Sequence, residues 1–137
     1  MQQAYIIRAL RTPVGKLGGV LSNVRSDDLM ALMIKSITSS FDIPADQIDE
    51  VIVGCANQAG EDNRNVARMS LLLAGIPYSV PGVTVNRLCG SGLEAINIAA
   101  RVIQTEDAHL ILAGGVENMS RAPWVFPKPT TGFANGN

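Results

Sequence analysis

Cys89 stands in the run Val83-Thr84-Val85-Asn86-Arg87-Leu88-Cys89-Gly90-Ser91-Gly92-Leu93-Glu94-Ala95-Ile96, between two different hydropathy patterns. Valines and a threonine follow Pro81, which predicts a strand over 82–88. From Leu93 to Glu106 there is no Gly or Pro and most residues favour a helix. A cysteine at such a strand-to-helix turn faces unpaired N–H groups, and these with the positive end of the helix dipole favour an anionic sulfur. Gly90 and Gly92 remove side chains beside it, so a substrate carbonyl can approach backbone donors, the N–H of Cys89 among them. This is the chemistry of an acyl-accepting nucleophile.

Two other readings fit the same residues. Cysteine is among the most buried residue types, so Cys89 could be a small core residue. Gly90-Ser91-Gly92-Leu93-Glu94-Ala95 also matches G-x-G-x-x-A after a strand, as in dinucleotide-binding oxidoreductases, with Glu117 available as the ribose-binding acid.

Few other residues compete for a catalytic role. Cys55 lies within the apolar strand pattern Glu50-Val51-Ile52-Val53-Gly54-Cys55 and reads as core. His109 is the only histidine, and it opens the next apolar run. In a parallel sheet that puts it at the end remote from Cys89, a poor place for a base. The polar loop 57–65 follows a strand, where sites in such sheets collect. Arg64 and Arg68 bracket its end, either as solvated surface residues or as cations for an anionic substrate group.

The elements that position these residues alternate between strand and helix. Strands are expected at 5–9, 50–55, 82–88 and 108–113, and helices from Ser26, over 66–74 and over 93–106. The first helix should bury Leu29, Leu32, Met33, Ser36 and Ile37, with Ser26 as its cap. A turn with one helical winding is expected at 42–46. The glycine-rich loop at Gly15, Gly18 and Gly19 lacks a G-K-[ST] ending and reads as a turn rather than a phosphate cradle. Beyond Met119, Pro123, Pro127, Pro129, Gly132 and Gly136 mark a loop. The fold class is therefore α/β, a mostly parallel central sheet with helices on both faces.

The helix after Cys89 carries an unusual demand. Its polar residues Glu94, Asn97, Arg101 and Gln104 form one narrow stripe, and apolar side chains cover the remainder. Such a helix needs burial on more than one side, and one sheet covers only one.

Composition bounds the rest. The 137 residues are 47% hydrophobic and 17% charged, with a net charge of −1. There is no basic excess for nucleic acid and no polybasic patch or spanning run for a membrane. Two cysteines make no disulfide framework, and the N-terminus lacks the pattern of a signal peptide, so the expected location is cytoplasmic.

The run VNRLCGSGLEAINIAARVI resembles the acyl-enzyme cysteine signature of the thiolase family, and RTPVGKLGG and GGVENMSRAP resemble other segments of it. The resemblance implies a thiolase-like N-terminal core over residues 1–118, the start of a loop domain over 119–137, and an absent C-terminal half. That half would supply an activating His, a second Cys and most coenzyme A contacts, leaving this chain inactive alone. The implied reaction is thiolytic cleavage of a 3-oxoacyl-CoA through an acyl thioester on Cys89, or the reverse condensation. Coenzyme A and acetyl-CoA would be substrates, with no permanently bound cofactor and no metal. CANQAGEDNRNVARMSLLLAGIP looks most like the thiolases acting on 3-oxoadipyl-CoA, where Arg64 or Arg68 would meet the carboxylate. The family also implies a homodimer or homotetramer paired through the 83–86 strand. A non-catalytic binding domain is the remaining alternative.

Overall fold

The computed structural model describes residues 2–40, 43–58, 60–129 and 132. Three strands, β1 (Glu50–Gly54), β2 (Gly82–Val85) and β3 (Ile111–Gly115), form a wholly parallel sheet in the order β2-β1-β3. Helices α1 (Ser26–Ser40), α2 (Val66–Leu73) and α3 (Ser91–Gln104) supply the crossovers, as parallel strands require. A single 3-10 turn, Ala45–Gln47, precedes β1.

β1 is central and needs apolar side chains on both faces. Val51, Ile52 and Val53 are fully buried. Val51 and Val53 join Met30 and Ile34 of α1 and Val66, Ala67 and Leu71 of α2 in the larger core cluster. Ile52 points the other way, onto Ala95 and Ala99 of α3. Helices therefore cover both faces, as expected. The α3 face is the thinner one, closed by small residues.

That thinness leaves α3 as its sequence pattern demands: Leu93 is 65% exposed and Ile96 38%. The sheet covers only the Ser91-Ala95-Ala99 side.

Five expectations need correction. Residues 5–9 form no strand; Tyr5, Ile6 and Ile7 are exposed. A strand is completed by its ladder, and the described sheet consists of β1, β2 and β3 alone. Helix α1 buries Asp27, Met30, Ala31 and Ile34, while Leu32 is exposed and Leu29 and Met33 are half-buried beside a cavity that residues 10–17 also line. Ser26 is its first helical residue, and Arg25 O accepts from Leu29 N in the capping position. β3 begins at Ile111 rather than 108, because the Asp49 carboxylate takes the N–H groups of His109 (2.7 Å) and Leu110 (3.0 Å). β2 ends at Val85 rather than 88, where the chain enters a turn.

The glycine loop at 15–19 closes as consecutive turns, with Gly19 N donating to Lys16 O and Gly18 at φ +67°. Met119–Pro129 contains no helix or strand. The remainder of that expected loop, apart from Gly132, lies outside the described residues, as does Asp42 at the start of the 42–46 turn. No helix among the described residues is long and apolar enough to cross a membrane.

Candidate active site

Residues 86–90 turn the chain from β2 into α3, and Leu88 adopts φ +49°, an unfavourable conformation for a residue with a Cβ. Hydrogen bonds hold it from both sides. Leu88 N donates to Asn86 Oδ1 at 2.9 Å. Leu88 O accepts from Ser91 N (3.1 Å) and from Ser91 Oγ (2.6 Å), and the same Oγ accepts from Arg87 N at 2.8 Å. Ser91 is itself buried, so its own side-chain bonds are partly shielded from water. The turn leaves Cys89 exposed on its outer side, one residue before the Gly90 that caps α3. The Cys89 N–H has no acceptor among the described residues.

The turn lies on the carboxyl ends of the strands because glycine occupies each point of contact. A Cβ on Gly54 would stand 2.1 Å from the Ser91 carbonyl carbon and 2.4 Å from Gly92 N. A Cβ on Gly115 would meet Gly92 Cα at 2.9 Å. Gly54 ends β1 and Gly115 ends β3, so both strands yield space to the start of the helix. Above them a cavity of about 720 Å³ opens, walled by Leu88, Cys89, Ile96, Asn57, Glu117 and Met119. Ile96 and Met119 give its wall apolar surface.

Polar struts hold the cavity's rim. The Glu117 carboxylate accepts from Ala56 N (2.8 Å) and Asn57 Nδ2 (3.1 Å). Asn86 Nδ2 donates to Ala56 O at 3.1 Å. On the outer face of α3, Glu94 pairs with Arg87 (3.1 Å) and Arg101 (3.6 Å).

The remaining candidates separate clearly. Cys55 is 1% exposed, and burial, with the nearby Glu117 charge, pushes its thiol up to about 11. It is a core residue. His109 sits before β3, at the opposite end of the sheet from the Gly115 that touches Gly92. Arg68 is occupied: Nη1 donates to Val80 O (2.7 Å) and Nη2 to Tyr78 O (2.9 Å), fixing the turn into β2. Arg64 is exposed at φ +59°. Glu117 accepts from Ala56 N and Asn57 Nδ2 and so braces the chain leaving β1 at the cavity's rim. No metal-binding cluster occurs among the described residues.

One polar network escaped sequence reasoning. Arg25 grips the fully buried Asp27 at 2.9 and 2.6 Å and donates to Glu61 O at 2.6 Å. Arg121 holds the Glu61 carboxylate at 2.7 and 2.5 Å. Asn118 Nδ2 adds bonds to Leu21 O and Val24 O. Together they tie the loops after β1 and β3 to the entry of α1. Burial works to raise the Asp27 carboxyl, but the hydrogen bonds and charge of Arg25 outweigh it and hold it below its usual value. The hydrogen bonds from Arg121 likewise lower Glu61. The available signal was Asp27 itself, an acid on the apolar side of an amphipathic helix with an arginine two residues earlier.

The family described as "Thiolase, N-terminal domain" matches residues 4–136. The chain belongs to the thiolase family. This thiolase chain is 56% identical over 135 residues to the β-ketoadipyl-CoA thiolase of Escherichia coli, covering 98% of the chain and 34% of that relative. It is 46% identical over 132 residues to the acetyl-CoA acetyltransferase of Syntrophomonas wolfei, covering 96% and 33%. The crystal structure of the Bacillus anthracis acetyl-CoA acetyltransferase superposes with a TM-score of 0.81 at 37% identity, covering 86% of this chain and 30% of that one. The thiolase chain thus spans about a third of the length of the curated relatives it matches.

Proposed function

We propose that the protein carrying this chain is an acyl-CoA:acetyl-CoA acyltransferase that works through a thioester on Cys89. The observation that carries the reading is the placement of Cys89: exposed at the start of α3, behind a residue held at positive φ, on the wall of a cavity. The Cys89 sulfur adds to the keto carbonyl of a 3-oxoacyl-CoA, and the carbon–carbon bond beside it breaks. Acetyl-CoA leaves as an enolate and takes up a proton. The thiol of a second coenzyme A then takes the acyl group, restoring Cys89. A thioester divides one difficult step into two easier ones. The Cys89 N–H is the donor this chain offers to the developing oxyanion.

The proton donor and acceptor lie elsewhere in this reading. Cys55 is buried and His109 stands at the far end of the sheet. We assign both roles to a His and a Cys outside residues 1–137, with residues 1–118 as the nucleophile-bearing core and 119–137 as the start of a loop domain. Coenzyme A thioesters are the substrates, and 3-oxoadipyl-CoA is the specific one, supported by the closer identity to relatives named for it. With Arg68 engaged, Arg64 is the candidate partner for its terminal carboxylate. We place the protein in the cytoplasm, as free thiols suggest. It assembles as a homodimer or homotetramer through β2, which is the outer strand on its side of the sheet.

Thiolysis of 3-oxoadipyl-CoA and acetoacetyl-CoA by the purified protein, with and without Cys89→Ala, tests the proposal. Loss of turnover in the variant and preference for the dicarboxylic substrate are expected. Turnover that survives Cys89→Ala removes the mechanism, and equal efficiency on the two substrates removes the specificity.

A further inference from the structure

We propose that Asn86 and Glu117 are positioning residues that together hold the Cys89 turn in register with the end of the sheet. This rests on the reading of Cys89 as the acyl-accepting nucleophile. The path is continuous. Glu117, just beyond β3, accepts the Ala56 N–H at 2.8 Å. The carbonyl of the same Ala56 accepts from Asn86 Nδ2 at 3.1 Å. The other end of the Asn86 amide accepts the Leu88 N–H at 2.9 Å. One residue later stands Cys89.

Both ends of the Asn86 side chain are thus used, and each has a different task. Oδ1 supports Leu88 at φ +49°, a conformation that a leucine keeps only when its surroundings fix it. Nδ2 ties that conformation to the chain leaving β1. Glu117 in turn fixes Ala56 and Asn57, so the opposite wall of the cavity is set by the same carboxylate. Ser91 shapes the turn internally, and among the described residues its side chain bonds only within residues 87–91. The link from turn to sheet through side chains runs through Asn86 and Glu117.

Neither residue reacts. Their effect is on where the sulfur stands relative to a bound thioester, which changes the rate of acyl transfer more than the affinity.

The test is single-turnover acylation of Cys89 by acetyl-CoA in the purified protein, with steady-state kcat and KM for thiolysis. It uses Asn86→Ala, Glu117→Ala and the double variant, with Asn86→Asp and Glu117→Gln as variants of unchanged size. Loss of position by about 1 Å lowers acylation and kcat on the order of 10²-fold in Asn86→Ala, with KM nearly constant. Glu117→Gln, which keeps one acceptor oxygen, recovers part of the loss seen in Glu117→Ala. Because the path acts as a unit, the double variant is no slower than the slower single one. Additive losses, or a change confined to KM, overturn the proposal. If the alanine variants do not fold, Asn86→Asp and Glu117→Gln decide it, and wild-type acylation rates in both refute it. Failure of the underlying reading is distinct: wild-type protein then carries no acyl group on Cys89 at all.

Discussion

Gly54→Ala is the most revealing single methyl in this chain. Its Cβ would stand 2.1 Å from the Ser91 carbonyl carbon, 2.3 Å from Ser91 O and 2.4 Å from Gly92 N. All three are backbone atoms, so no side chain can swing aside. Carbon atoms pack at about 3.5–4.0 Å, so the start of α3 must retreat by roughly 1.5 Å. Overpacking of this kind costs about 1–3 kcal/mol. The displaced segment carries Cys89, so acyl transfer should fall on the order of 10²-fold as well. Gly90→Ala is the control. It lies beside Cys89, yet its Cβ would meet nothing closer than 3.4 Å, and its φ of −91° suits alanine. Its stability should change by less than about 0.5 kcal/mol. Urea unfolding of both variants gives the stabilities, and acetylation of Cys89 by acetyl-CoA gives the positions. Equal stability and equal acetylation in Gly54→Ala and wild type would refute the close-approach argument.

Further outcomes follow from the same geometry. In native protein at pH 8, iodoacetamide should label Cys89 and spare Cys55, whose thiol is both buried and pushed up to about 11; peptide mapping before and after denaturation reads this, and equal native labelling contradicts it. The Asp27 carboxyl is lowered in the folded state, so its stabilisation is present above the unfolded carboxyl range and disappears as pH falls through the folded value. Asp27→Asn should therefore be less stable at pH 7 by about 1.5–3 kcal/mol, with a shallower loss on acidification; a parallel acid profile counts against the Arg25 pairing. If β2 is the assembly edge, light scattering should show a dimer or tetramer, and a monomer at micromolar concentration counts against it.

The candidate site was more legible than the sheet around it, for physical reasons. The Cys89 turn is specified locally: a β-branched run, two glycines and a helix-forming run lie adjacent in sequence. The partners of that turn are not local. Nothing in the spacing of Gly54, Asn86, Gly115 and Glu117 shows that two strand ends and two struts converge there. Residues 5–9 have a strand's composition, but composition cannot supply the neighbour that makes a strand. In α1 the apolar pattern starting from Leu29 set the expected face, while the buried Asp27 and its Arg25 partner rotate the true one toward Met30 and Ile34. At β3 the run from Ala108 looked extended throughout, but the Asp49 carboxylate captures its first N–H groups and delays the ladder. The unmet demand of α3 for cover was readable because it depends only on which faces of one helix are apolar.

In the proposed mechanism Cys89 accepts the acyl group. Its most direct test is peptide mass spectrometry of the purified protein after brief incubation with acetyl-CoA and acid quench. One acetyl group is expected on the peptide containing Cys89, none on the peptide containing Cys55, and the group should leave on adding coenzyme A. An unmodified Cys89 in protein that is turning over substrate, or an acetyl group on another residue that exchanges with coenzyme A, would contradict it.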